Sequence, residues 1–128
     1  MKKRWKDWLK QAIDDLQWAE ATLKAEKYSQ VCFISQQIAE KAIKALAFFR
    51  GVQEIRSHSV REIAQCLEVN GEIEKIAKRL DMYYISARYP DAFPSGAPFE
   101  YFTAEQAEEA FQFAQKLVEI IKHETAFE

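Results

Sequence analysis

Apolar side chains recur at spacings of three and four over four long stretches of the chain, which is the pattern of amphipathic helices. In the first stretch, residues 5–27, they form one apolar stripe. The second stretch, residues 29–51, carries two adjacent stripes, and we expect it to be packed on more than one side. Ser29 is a suitable N-cap for this helix, and Gly51 is a suitable C-cap.

A third, short helix is predicted after the second. Ser59 and Glu62 have the spacing of a capping box, in which each side chain binds a free backbone N–H of the other residue. Asn70 and Gly71 then stop the apolar run. A helix of this length cannot span a bundle, so we expect it to cover one end.

The fourth long helix is predicted over residues 72–88 and the last from residue 103 onward. Pro90 disfavours the helical conformation for the residue before it, so the fourth helix should end near Arg88. Thr103 and Gln106 repeat the capping-box spacing at the start of the last helix. The inward face of the fourth helix should consist of Ile73, Ile76, Ala77, Leu80 and Tyr84.

These elements predict an all-α fold, an up-and-down antiparallel four-helix bundle with one extra short helix, as a single domain over residues 1–128. Long amphipathic helices with short connections pack as antiparallel neighbours, and no strand pattern or internal repeat interrupts them. The residues that should be buried include Leu16, Ile38, Ile43, Leu80, Phe111 and Leu117.

Composition and charge exclude several classes of protein. A content of 48% hydrophobic and 30% charged residues in 128 positions favours one folded domain over disorder. The net charge of −2 gives no general affinity for nucleic acid or an anionic membrane. The basic residues near the start are interpreted as a solvated terminus, with a contact to RNA or phosphate as the alternative; they are Lys2, Lys3, Arg4, Lys6 and Lys10.

The chain is expected to be cytoplasmic. No apolar run of the length of a signal peptide follows the start MKKRWK, and no window of 18 apolar residues predicts a membrane span. Cys32 and Cys66 lie far apart in the chain and are expected to be reduced and buried.

Motifs for metal or cofactor binding are missing from the sequence. His58 and His123 are the only histidines, and neither belongs to a His-x-x-x-His or Cys-x-x-Cys pair, so no metal site is expected. No glycine-rich phosphate loop of the Walker or Rossmann type occurs. We therefore expect no cofactor.

One stretch, residues 87–102, concentrates the breakers of the chain: Pro90, Pro94, Gly96 and Pro98. Arg88 can bind a phosphate or carboxylate through two hydrogen bonds, Tyr89 can stack on a base, and Asp91 can fix the turn. The alternative is structural, with Arg88 paired to a carboxylate inside the bundle and Tyr89 packed. A loop of this length in a compact domain favours a functional role.

The runs CFISQQIAEKAIKALAFFRG (32–51), SHSVREI (57–63) and ISARYPDAFP (85–94), in this order, resemble the HEPN domain (higher eukaryotes and prokaryotes nucleotide-binding). The resemblance implies a bundle of four to five helices, similar also to the C-terminal domain of aminoglycoside nucleotidyltransferases. Stand-alone members are often encoded beside a minimal nucleotidyltransferase and are described as its substrate-binding subunit or its toxin partner.

The sequence departs from the nuclease-active members of that family. Those members carry an Arg, four to six further residues and then a His, supplied by both chains of a dimer that cuts RNA. Counted from Arg88, the His would fall at Phe93, Pro94 or Ser95, and none of these is His. The general acid–base group of the motif is absent, so no catalytic residue is assigned and no cleavage of RNA is expected.

The resemblance and the residues together predict a non-catalytic module that binds a nucleotide or another substrate and acts with a minimal nucleotidyltransferase, as in a toxin–antitoxin pair. Arg88, Tyr89 and Asp91 are the candidate ligand contacts, and His58 joins them if its loop lies at the same end of the bundle. RNA and membranes are not expected as partners. A divergent RNase toxin and a purely structural dimerisation bundle are the alternatives.

A homodimer is also expected, because the aromatic residues exceed what one four-helix core readily buries. The residues concerned are Trp8, Trp18, Tyr28, Phe33, Phe48, Phe49 and Phe102.

Overall fold

The computed structural model describes residues 4–128, and every regular element in that part of the chain is helical. The α-helices are α1 (Trp5–Lys24), α2 (Tyr28–Phe49), α3 (Val60–Cys66), α4 (Glu72–Asp81), α5 (Tyr83–Ser86) and α6 (Ala104–Thr125). Two single 3₁₀ turns, Pro90–Ala92 and Pro98–Glu100, lie in the long connection before α6.

Helix α2 is the centre of the bundle. It contacts all five other α-helices, and most of its side chains are buried, which confirms that it packs on more than one side. Helices α1 and α2 are joined by three residues and lie along each other, so they must run antiparallel. Helix α6 packs against both α1 and α2 and is the third long helix of the core.

The predicted fold class is confirmed. Ile38, Ile43, Leu80, Phe111 and Leu117 are all buried, as the periodicity predicts. Leu16 differs from the prediction because it is only half-buried and packs at the edge of the core. The short helix α3 packs against α2 and α4.

The fourth predicted helix is broken in two, which corrects the sequence prediction. Helix α4 ends at Asp81 and α5 begins at Tyr83, with Met82 between them at φ −60° and ψ −21°. Tyr83 is buried in place of Tyr84, although both tyrosines lie about one turn after the buried Leu80. Tyr84 is left partly exposed beside the segment that precedes α3.

The helix ends agree with the sequence only in part. Thr103 and Gln106 form the expected reciprocal capping box at the start of α6. Ser29 is not an N-cap, because α2 begins one residue earlier and Ser29 is buried in its first turn. Gly51 follows the C-cap of α2 at φ +95°, a left-handed conformation that glycine adopts without strain.

The two cysteines differ in their surroundings. Cys32 is buried in α2, and burial raises the pKa of its thiol to about 12. Cys66 is exposed at the end of α3, so the expectation that both cysteines are buried is wrong for this residue. Cys66 lies off the buried face of α3, which consists of Val60, Ile63 and Ala64.

Three residues of the basic cluster near the start of the chain, Arg4, Lys6 and Lys10, are described by the structure, and all three are exposed. Lys2 and Lys3 of the basic cluster lie outside the described residues. Arg4 forms an ion pair with Asp7, with 2.7 Å between Nε and Oδ2, and both side chains are exposed. No helix within residues 4–128 is both long and apolar enough to cross a membrane.

Candidate functional site

Tyr84 lies between two of the residues singled out from the sequence. The His58 ring stacks on the Tyr84 ring with 5.7 Å between their centroids and 11° between their planes. The Arg88 guanidinium carbon lies 4.7 Å from the centroid of the same tyrosine ring. The connection before α3 and the turn after α5 therefore meet at one aromatic side chain, and we call His58, Tyr84 and Arg88, with Phe33 and Tyr89, the Tyr84 cluster.

Arg88 is oriented by rings and one carbonyl group. Its Nε donates a hydrogen bond of 2.9 Å to the carbonyl oxygen of Tyr84. Its guanidinium carbon lies 4.4 Å from the centroid of the Phe33 ring and 4.8 Å from that of the Tyr89 ring. Such contacts are attractive because the face of an aromatic ring is negative.

No carboxylate within residues 4–128 forms an ion pair with Arg88. The described residues therefore do not form the alternative arrangement, in which Arg88 makes a salt bridge inside the bundle. The two terminal nitrogens of Arg88 also have no hydrogen-bond partner in this part of the chain. A partly exposed guanidinium with both terminal nitrogens available is suited to a phosphate or carboxylate.

The neighbours of Arg88 in sequence lie differently. Tyr89 is 46% exposed and adopts an extended backbone, as expected before proline. Asp91 lies on the exposed 3₁₀ turn, and no hydrogen bond or ion pair of its side chain occurs within the described chain. The turn is closed by a backbone bond from Phe93 N–H to the Pro90 carbonyl, so the side chain of Asp91 does not fix it.

Asp81 fixes the start of α3 and, with it, the segment that carries His58. Its carboxylate accepts hydrogen bonds from Ser59 Oγ (2.8 Å), Val60 N–H (2.9 Å) and Arg61 N–H (2.8 Å). Gln36 Nε2, on buried α2, donates to both the His58 carbonyl (3.0 Å) and Asp81 (3.3 Å). An acid at a helix start also interacts favourably with the helix dipole.

Glu40 binds the side chain of His58. This buried carboxylate on α2 lies 3.1 Å from His58 Nδ1 and 2.7 Å from Lys44 Nζ. Gln37 Nε2 donates to its other oxygen at 3.3 Å. The side chain of His58 remains 59% exposed, and its Nε2 has no partner within residues 4–128.

An open cleft of about 380 Å³ adjoins this histidine. It is lined by Ser57, His58, Ser59, Asp81, Tyr84 and Ile85. Arg88 is not part of the lining of this cleft, but it contacts Tyr84, which is, so the cleft and Arg88 together are the candidate ligand site.

Sequence reasoning did not assign four residues of this arrangement to the site: Phe33, Glu40, Asp81 and Tyr84. Glu40 and Lys44 do leave a signal, since this pair of opposite charges four residues apart lies among the apolar positions of a helix that is mostly buried. Asp81 and Tyr84 leave no such signal, because in the sequence Asp81 resembles any solvated acid and Tyr84 resembles any core residue.

Comparison with known proteins matches residues 5–124 to the HEPN domain family. The chain belongs to the HEPN family. "Putative toxin MJ1304" of Methanocaldococcus jannaschii is 30% identical over 127 residues, covering 89% of this chain and 83% of that protein. The crystal structure of TT1696 from Thermus thermophilus is 38% identical with a TM-score of 0.88, and the archaeal HEPN homologue ST0689 is 38% identical with a TM-score of 0.82. Each of these two comparisons covers 96% of this chain and 98% of the other.

In this HEPN chain the positions after Arg88 where nuclease-active members would carry histidine have a structural role. The Phe93 ring stacks on the Tyr101 ring with centroids 4.2 Å apart and planes 6° apart. Phe93 also meets the edge of Phe102, and Tyr101 Oη donates to the Ser95 carbonyl. The histidine that shares a ring contact with Arg88 is His58, from the segment before α3, and the shared ring is that of Tyr84.

Proposed function

We propose that this HEPN chain binds a nucleotide or a similar phosphorylated substrate, with Arg88 as the anion contact. The observation that carries the proposal is the state of Arg88: three rings and one carbonyl orient its guanidinium, and no carboxylate among the described residues pairs with it. A structural arginine this close to a core would ordinarily be paired. An anion supplied by a ligand would satisfy both terminal nitrogens through charge-assisted hydrogen bonds.

Other residues of the site have distinct roles in this proposal. Tyr89, half-exposed and in contact with Arg88, supplies a ring face on which a base can stack. His58 offers its free Nε2 at the other side of Tyr84. Asp91 is assigned to the rim only, because its side chain contacts no member of the Tyr84 cluster.

Replacing Arg88 with alanine should weaken the binding of ATP by about 1.5–3 kcal/mol, which is the contribution of a charge-assisted hydrogen-bonded contact. Isothermal titration calorimetry of wild type and Arg88→Ala measures the loss. Arg4→Ala is the matched control, because Arg4 is exposed and paired with Asp7 at the start of α1. Unchanged affinity in a folded Arg88→Ala variant would leave this arginine without a role in binding.

We also propose a homodimer. The supporting residues are Met82 (67% exposed) and Ile85 (49%), before and in α5, and Phe99 (69%) in the connection before α6, all of which present apolar side chains to solvent. Of the aromatic residues expected in surplus, only Trp18 is mostly exposed, at 54%, whereas Phe48 is buried in the core. Met82, Ile85 and Phe99 therefore support an interface better than the aromatic residues expected in surplus.

Light scattering should show a dimer at ~100 µM, since interfaces of standard size associate well below that concentration. Ile85→Asp should shift the protein to a monomer, because it places a charge in the proposed interface, while Trp18→Asp on α1 should leave the dimer intact. A wild-type monomer would contradict the proposal, and a dimer indifferent to Ile85→Asp would place the contact elsewhere.

A minimal nucleotidyltransferase is the protein partner that we propose, within a cytoplasmic toxin–antitoxin-like pair. The support is the family membership and the toxin name of the Methanocaldococcus jannaschii relative. Co-purification of the chain with the nucleotidyltransferase encoded beside its gene tests this pairing.

One observation favours a second candidate, the RNase toxin. The missing histidine after Arg88 speaks against cleavage, but His58 shares the Tyr84 ring with that arginine. A histidine and an arginine that both reach one phosphodiester group are what a metal-independent attack by a ribose hydroxyl needs. Cleavage of single-stranded RNA that both His58→Ala and Arg88→Ala abolish would establish the RNase. Binding of nucleotides without cleavage would support the binding module. If the protein neither binds nucleotides nor cleaves RNA, the purely structural bundle is the remaining alternative.

A further inference from the structure

We infer that Glu40 orients His58 so that the ring carries its proton on Nδ1 and presents Nε2 as a hydrogen-bond acceptor, which makes the site selective for ribonucleotides over deoxyribonucleotides. The selectivity rests on the proposed nucleotide-binding function. The orientation of His58 by Glu40 can be tested without any ligand.

The first step is the contact between carboxylate and ring. Glu40 is buried, and the Lys44 ammonium group, 2.7 Å away, compensates its charge. An ionised carboxylate whose charge is balanced by a neighbouring cation accepts hydrogen bonds and donates none. The ring nitrogen that faces it at 3.1 Å, Nδ1 of His58, must therefore carry the hydrogen.

The second step is the fixed plane of the ring. Stacking on Tyr84 at 11° limits rotation of the imidazole, and Gln36 binds the backbone carbonyl of the same residue at 3.0 Å. With Nδ1 occupied by Glu40, the opposite nitrogen, Nε2, has a free lone pair on the exposed side of the ring. A neutral histidine arranged in this way accepts one hydrogen bond from a ligand.

The third step is the separation from Arg88. Both side chains touch the Tyr84 ring, His58 at 5.7 Å between centroids and Arg88 at 4.7 Å from guanidinium carbon to centroid. The centroid of the His58 ring and the guanidinium carbon of Arg88 are thus no farther apart than the sum of these two distances. That sum is comparable to the length of one nucleotide. We therefore infer that a nucleotide whose phosphate binds Arg88 is long enough to bring its ribose to Nε2.

The ribose hydroxyls are the O–H donors of a nucleotide that lie nearest to its phosphates. A site that uses a hydrogen bond to a hydroxyl discriminates against the analogue that lacks it, since its own polar group is then left without a partner. One such hydrogen bond corresponds to about a tenfold difference in affinity.

Nitrogen-15 NMR of the free protein tests the orientation directly, because the two neutral tautomers of histidine give different ring-nitrogen shifts. Wild-type His58 should be the Nδ1–H tautomer, and Glu40→Gln should abolish this preference, since an amide can either donate or accept. His123, exposed on α6 and without a side-chain hydrogen bond in the described chain, is an internal control in the same spectra. The double variant Glu40→Gln/Lys44→Met removes both charges of the buried pair, so the test survives if an unpaired Lys44 destabilises the single variant.

Calorimetry with ATP, 2′-deoxy-ATP and 3′-deoxy-ATP tests the selectivity. We expect at least one deoxy analogue to bind about tenfold more weakly to wild type, and we expect Glu40→Gln to reduce that ratio toward one while ATP still binds through Arg88. Equal affinity of all three nucleotides for wild type, or an Nε2–H tautomer of His58, would overturn the inference. If none of the three binds, the proposed function fails, and the tautomer alone then decides whether Glu40 orients His58.

Discussion

Truncation of Ile38 to alanine should lower the free energy of unfolding by about 2–5 kcal/mol. Ile38 is fully buried in the middle of α2, the helix that contacts every other α-helix of the bundle. The substitution removes apolar contacts and leaves a cavity that the surrounding long helices cannot readily fill. Urea denaturation followed by circular dichroism gives the change.

The conservative variant Ile38→Val provides the graded control for this substitution. It removes one methylene group and should cost about 0.5–1.5 kcal/mol. A loss of less than 1 kcal/mol on Ile38→Ala would contradict the central position of α2, since exposed sites typically change stability by about 0.5 kcal/mol or less.

Replacement of Asp81 by alanine should cost about 2–4 kcal/mol of unfolding free energy, because it removes a helix cap and leaves donors at the start of α3 without a partner. Three hydrogen bonds within 2.9 Å and a fourth from Gln36 converge on its carboxylate. Asp14→Ala on α1 is the matched control, since Asp14 is exposed and without an ion pair or side-chain hydrogen bond in the described chain. Equal denaturation midpoints for the two variants would contradict this role of Asp81.

The same variant reports on the candidate site. Since Asp81 and Gln36 together fix the segment before α3, Asp81→Ala should also release His58 from the Tyr84 ring. Loss of the slow exchange of the Val60 and Arg61 amide hydrogens would accompany this release, because both amides donate to Asp81.

The fold followed from the sequence because apolar periodicity is a local signal. Helix α6 is the clearest case, as its capping box and inward face could be identified from adjacent residues alone. The break at Met82 could not be predicted in this way, because no proline or glycine marks it. Tyr83, directly after the break, is buried against the core, and its ring meets the edge of Phe102, 19 positions later in the chain.

The candidate site was only half predictable for the same reason. Arg88 and Tyr89 stand next to a proline and were found from local sequence, whereas the residues that support them act over long separations. Glu40 reaches His58 across 18 positions of the chain, and Asp81 reaches Val60 across 21. Contacts of this kind arise from how the helices are arranged, which periodicity does not specify.

The stack of Phe93 on Tyr101 divides the long connection before α6 into an anchored base and a small closed tip. The entropy lost on closing a loop grows only with the logarithm of its length, so lengthening the tip between these two rings would cost little. The segment around Gly96 and Phe99 is therefore where homologues can gain or lose residues without displacing Arg88. Variation in length at this tip would let related chains change the surface that they present to partners while the proposed ligand contact at Arg88 stays the same.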